Sequence, residues 1–174
     1  MTHLRTLALT ILVACVSFAA GTTADPAPAT TPDPGQVVAQ LYRSTKQTLT
    51  GLDLIAYDTA EWDLLGGWDS ETPTRYTPTE PGLYRFDAGV GFASELGGWR
   101  DIHLRRNGSP VYASHVYGPA SLLDYQTRPV VVAMDGVDDY IEVRVRHFHT
   151  SAITTSAPWG RPTLVVVYEG PLPE

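Results

Sequence analysis

Tyr84, Phe86, Ala88, Val90 and Phe92 stand at every second position and give the stretch Leu83 to Phe92 one continuous apolar face. Arg85, Asp87, Gly89 and Gly91, polar or small, fall between them. A period of two belongs to an extended strand, and a strand apolar on one face packs that face against a core. The Glu80-Pro81-Gly82 turn sets its start, and Arg75 to Thr77, stopped by Pro78, is a short extended piece before it. A strand this long is predicted near the middle of a sheet, because a long free edge invites aggregation.

The rest of the chain repeats the theme in shorter pieces. Val38 to Thr45, Leu52 to Tyr57, Asp101 to Arg106, Val111 to Val116, Pro129 to Met134, Tyr140 to His149 and Thr163 to Tyr168 are the other strand candidates. Asn107-Gly108 is a strong hairpin signal, since both residues tolerate positive φ in a type I′ turn, and Asp135-Gly136 is a second turn. Asp58 to Asp69 reads as an acidic and aromatic loop. With Gly 15 and Pro 14 spread among short apolar runs, the prediction is an all-β domain. About nine or ten strands imply a sandwich of two antiparallel sheets. A composition 43% hydrophobic and 18% charged suits one domain with a sizeable core.

The first residues read as a targeting segment. Arg5 is a positive start, and the apolar run Leu7 to Ala20 falls short of the ~20 residues that span a bilayer. Thr22 and Ala24 place small residues before Asp25, so residues 1–24 are expected to be a signal peptide cleaved after Ala24. Leu12-Val13-Ala14-Cys15 offers the alternative of a lipoprotein acylated on Cys15. Residues 25–36, rich in Pro, Ala and Thr, read as an extended linker, and residues 37–174 as the folded domain. Cys15 is the sole cysteine, so cleavage leaves a domain without disulfides or thiolate metal sites. A formal charge of −7 argues against nucleic acid and anionic lipid as partners.

Taken in order, AQLYRSTKQTLTGLDLIAYDTAEWDLLGGWD, PTRYTPTEPGLYRF, LRRNGSPV, MDGVDDYIEVRV and PTLVVVYEG resemble the bacterial and phage branch of the C1q/tumour-necrosis-factor-like jelly rolls. The resemblance runs from Val38 to Gly170 and rests on the ordered set rather than on any single motif. It implies a ten-stranded jelly roll assembling as a homotrimer, with the first and last strands facing the threefold axis. Tyr42 and Tyr168 are then the candidate interface residues. Two features depart from the family: no Gly-X-Y stalk precedes the domain, and the Gly-Asp turn appears as Gly136-Val137-Asp138-Asp139.

Several side chains carry potential chemistry. His147 and His149 share a strand face, but no carboxylate or thiolate completes a tetrahedral metal set, so they read as partly buried imidazoles. Asp58, Glu61 and Asp63 lie close together but sit in a turn-rich stretch, where carboxylates brace backbone amides. Asp135, Asp138 and Asp139 are candidate calcium ligands, though without the spacing of a dedicated calcium loop. No serine stands in a Gly-x-Ser-x-Gly elbow. Trp99, Arg100, Tyr117, Trp159 and Arg161 lie in or beside loops and belong to the residue types that anchor recognition.

The chain is therefore expected to be no enzyme but a secreted binding or adhesion module. A homotrimer would present weak sites to an extracellular protein or glycan, and no cofactor beyond calcium suggests itself. Two alternatives remain open: the structural head of a surface lipoprotein or phage-tail-like knob, and a carbohydrate-active enzyme. Among the loops, Ser151 to Arg161, with Trp159, is the first expected to bind.

Overall fold

The computed structural model describes residues 31–93, 98–118, 123–126, 129–148, 153–155 and 160–174. In chain order the strands are β1 (Gln36–Tyr42), β2 (Thr48–Leu49), β3 (Leu52–Leu54), β4 (Thr59–Asp63), β5 (Arg75–Tyr76), β6 (Gly82–Ala93) and β7 (Gly98–Arg106). They continue with β8 (Ser109–Gly118), β9 (Leu123–Gln126), β10 (Val130–Met134), β11 (Ile141–His147), β12 (Ile153–Thr155) and β13 (Thr163–Gly170). The first sheet runs β2-β12-β6-β13-β1-β4, with β9 and β10 also on β6. The second runs β3-β11-β7-β8, with β5 also on β11.

β6 lies inside its sheet, paired to β13 and β12 along one edge and to β10 and β9 along the other. Tyr84, Phe86, Ala88, Val90 and Phe92 are all buried, so the alternation in the sequence is the alternation of the strand. Opposite them Ile102 and Leu104 of β7 and Ile141, Val143 and Val145 of β11 fill the space between the sheets. Leu41, Leu164, Val166 and Tyr168 complete this core.

The Asn107-Gly108 turn has φ of 49° and 77°, as a type I′ hairpin requires. The expected count of nine or ten strands is too low: thirteen are found among the described residues. The additions are short pieces such as β2 and β9, too brief to show a period. β4, which pairs with β1, lies inside the stretch expected to be a loop, and none of its residues is fully buried. In the loop after β4, Gly67 passes so close to β5 that an added Cβ would stand 2.7 Å from the Tyr76 ring. Its carbonyl accepts from the Thr77 amide at 2.8 Å.

Candidate functional site

The second sheet turns one face to the core and the other to solvent, and the solvent face is where chemistry collects. On β7, Trp99, Asp101, His103 and Arg105 point outward, alternating with Arg100, Ile102 and Leu104. Register sets Tyr117, His115 and Ala113 of β8 opposite the first three. On the other flank, Arg146, Arg144 and Glu142 of β11 lie opposite Asp101, His103 and Arg105. Opposite charges thus meet across adjacent strands, the arrangement that stabilises a ladder face.

Asp101 is the centre. Its side chain is 2% exposed; Oδ1 lies 2.7 Å from His115 Nδ1, and Oδ2 accepts from Arg146 Nε at 2.7 Å. Burial alone would raise its pKa, but the His115 and Arg146 hydrogen bonds outweigh that and hold the carboxyl below the usual range. Next to it, burial and then the Arg144 charge press the His103 imidazole below its ordinary pKa, against the pull of Asp101. His103 therefore stays neutral near pH 7, and neither of its ring nitrogens makes a hydrogen bond. One row along, Arg105 Nη1 donates to Glu142 at 2.6 Å, and a second Arg105 nitrogen meets the Gly108 carbonyl.

Around this charged centre stands an aromatic rim. Trp99, Asp101, His115, Arg146 and Phe148 line a cavity of about 380 Å³. Trp99, Tyr117 and Phe148 are 53%, 66% and 60% exposed, unusually open for such large apolar groups. Trp99 and Tyr117 meet edge to face at 5.3 Å, and the Arg146 guanidinium lies 4.5 Å over the Phe148 ring. Such an arrangement can stack on a flat apolar ligand face while His115 and Arg146 hydrogen-bond to its polar edge.

The residues singled out in the sequence fall in different places. Trp99 and Tyr117 come together on this rim. Arg100 does not join them: it is fully buried on the core side, 5.5 Å from the Phe92 ring, because the strand alternates. Arg161 stacks at 3.7 Å on Tyr42, on a different part of the domain. Trp159, His149 and Cys15 lie outside the described residues. Tyr168 is 1% exposed and packs edge to face on Tyr84 at 5.3 Å, so its ring belongs to the chain's own core rather than to a surface a neighbour could meet.

The acidic candidates serve loops. Asp135 Oδ1 accepts from the amides of Val137, Asp138 and Asp139. Asp139 holds Arg106 and Asn107, so these two calcium candidates already spend oxygens on the chain itself. Glu61 accepts from Gln40, and Asp63 from the Trp68 amide at 2.8 Å. His147 is buried, its Nε2 3.1 Å from the Leu49 carbonyl oxygen. Among the described residues no group of three or more His, Cys, Asp or Glu side chains is placed to hold a metal.

Sequence reasoning missed Asp101, His115, Arg146 and Phe148. The signal was partly there, since Asp101 shares its parity with Trp99. The cross-strand register was not, because a bulge between Leu104 and Arg105 displaces β8 by one residue.

Two antiparallel sheets packed in this order make the domain a jelly roll of the TNF-like type. Among solved structures, it is similar to murine APRIL at pH 5.0, with a TM-score of 0.56 and 14% identity over 75% of this chain and 98% of that one. The murine APRIL structure at pH 8.5 matches over the same shares with a TM-score of 0.53. Eiger TNF from S. frugiperda matches with a TM-score of 0.56 and 10% identity over 82% of this chain and 97% of that one. At such identities the likeness is one of fold. No family model matches the chain, and no curated protein does.

Proposed function

We propose that the chain is a secreted, non-enzymatic C1q/TNF-like module of the bacterial and phage branch, binding an extracellular glycan or protein through the outer-face cavity. One observation carries this reading: the exposed rings of Trp99 and Phe148 line a charged cavity on the outer face of a sheet, with exposed Tyr117 packed on Trp99. Large apolar groups held in water close together are costly unless a partner covers them. A hydrolytic reading fits less well. Glycoside hydrolysis takes two carboxyl groups, whereas Asp101 is the one carboxylate lining the cavity among the described residues and is held ionised by its partners.

Assembly as a homotrimer would turn weak sites into avid ones. The outward face of the first sheet supports it with a row running Val37, Val167, Arg85 and Val131 across β1, β13, β6 and β10. Val37 and Val131 at its ends are 38% and 54% exposed. Val167 of β13 is itself buried, so the apolar surface left for a neighbour is that of Val37 and Val131, not Tyr168. Export rests on residues 1–24, and an exported mass beginning at Asp25 is the expected result. Diacylglycerol on Cys15 would make the chain a surface lipoprotein instead.

The test is a glycan and protein binding screen with the purified chain. Trp99→Ala should weaken any captured ligand by roughly 30-fold per site, the loss of a hot-spot aromatic. Light scattering should give about three times the monomer mass. Binding that survives both Trp99→Ala and Phe148→Ala would remove this cavity as the site.

A further inference from the structure

A second cavity, of about 300 Å³, is lined by Arg43, Ala56, Tyr57, Asp58, Trp68, Ser70 and Pro73. Three connections build it: the chain leaving β1, the β3–β4 link, and the Gly66-Gly67-Trp68-Asp69 loop that follows β4. It shares no residue with the outer-face cavity.

Its carboxylate and the Ala56 carbonyl are spent. Asp58 Oδ1 takes the Ser44 amide at 2.7 Å and Thr59 Oγ1 at 3.1 Å, while Oδ2 takes Ser44 Oγ at 3.0 Å and Thr45 Oγ1 at 3.2 Å. That fills the lone-pair sites a carboxylate offers. The Ala56 carbonyl accepts from Arg43 Nη1 at 2.7 Å.

Its donors are not. Arg43 Nε, Tyr57 Oη and Trp68 Nε1 are each closed to bulk water and have no hydrogen-bond partner. Tyr57 is 1% exposed, and burial pushes its phenol far above the usual range, so it stays a protonated donor. Orphaned buried donors are few in a folded domain, and the others among the described residues, such as His103 and Arg144, lie on the ladder of the second sheet. Here three, contributed by three separate connections, border one hollow.

We propose that this hollow binds a small carboxylate, whose oxygens accept from Trp68 Nε1, Tyr57 Oη and Arg43 Nε. A set of free donors beside satisfied acceptors matches a group that accepts and does not donate. An ionised acceptor makes the stronger, charge-assisted bonds to guanidinium and N–H. The volume far exceeds the ~30 Å³ share of a single water, leaving room for a short carbon chain against Pro73 and the Trp68 ring. Asp58, ionised and near, repels a more highly charged phosphate more strongly than a singly charged carboxylate, which Arg43 attracts.

The chain has four tryptophans, so the indole N–H signals of the full chain can be followed individually in a ¹H–¹⁵N spectrum, with Trp68 assigned by Trp68→Phe. Propionate, propionamide, phosphate and glucose are the probes. Propionate should move the Trp68 signal saturably with a Kd of ~1 mM and leave Trp99 in place, and Tyr57→Phe should weaken it about tenfold, one charge-assisted bond. If Trp68→Phe fails to fold, Tyr57→Phe, which removes only a hydroxyl, still decides the point. Ordered water only, seen as no saturable shift by any probe, overturns the proposal. So does propionamide or glucose binding as well as propionate, or propionate binding unchanged in Tyr57→Phe.

Discussion

Two polar cavities of this domain solve the same problem in opposite ways. On the outer face, a nearly buried carboxylate sits between a guanidinium and an imidazole, each within hydrogen-bond distance. Beneath Trp68, the carboxylate is equally well served, yet three donors have nothing to bond. The difference comes from how each is assembled. β8, β7 and β11 are neighbours in one ladder, and ladder register delivers Asp101, His115 and Arg146 side by side. Arg43, Tyr57 and Trp68 come from separate connections, which no ladder aligns. Regular pairing satisfies Asp101 within the chain while leaving the neighbouring His103 nitrogens without partners, whereas converging loops leave three donors around one hollow.

The sharpest way to break the comparison is to delete a group from each side. Asp101→Ala leaves Arg146 and His115 without their shared anion; because both are partly exposed and can turn to water, the expected loss is about 2–3 kcal/mol in urea unfolding, less than for a fully buried pair. Tyr57→Phe should act with the opposite sign. Removing an unpartnered buried hydroxyl should leave stability unchanged or raise it by about 1 kcal/mol in the absence of ligand. A destabilisation of that size would mean that the hydroxyl is satisfied in solution and that the two cavities are alike.

Acid should sharpen the contrast in two steps. The folded-state pKa of His103 is depressed, so its contribution is full above the unfolded value of ~6.5 and is lost as pH falls through the lower, folded one. The depressed carboxyls of Asp101, Asp58 and Asp139 contribute fully above ~3.9, and their share is lost as pH falls further. Chemical unfolding followed from pH 8 to 3 should show both losses, and His103→Gln should abolish the first while leaving the second. A single loss below pH 4 in the unmodified chain would contradict the neutral, buried state of His103. The smallest effect belongs to the rim: Trp99→Ala should change stability by no more than about 0.5 kcal/mol, since the indole is half in water. A larger cost would make Trp99 a packing residue rather than a contact surface.

Much of the architecture was legible before any coordinates. The period of two in Leu83 to Phe92 placed a long half-buried strand inside a sheet, and it sits there as β6. The Asn107-Gly108 pair located its hairpin because positive φ is chemically restricted to few residues. Side-chain parity follows directly from backbone geometry, so a sequence displays it openly.

Position across strands is another matter. A straight count back from the Arg106–Ser109 pair would set Trp99 opposite Val116 and Asp101 opposite Ser114. The bulge between Leu104 and Arg105 instead sets them opposite Tyr117 and His115, and that single residue builds the outer-face site. Likewise, β13 is apolar from Leu164 to Tyr168, and only packing decides that Tyr168 enters the core while Val165 faces outward. The orphaned donors of Arg43, Tyr57 and Trp68 could not be read from sequence either, since whether a donor finds an acceptor depends on the meeting of distant loops. Local stereochemistry determined the strands and turns; register and loop convergence, which sum contacts over the whole chain, decided where the chemistry lies.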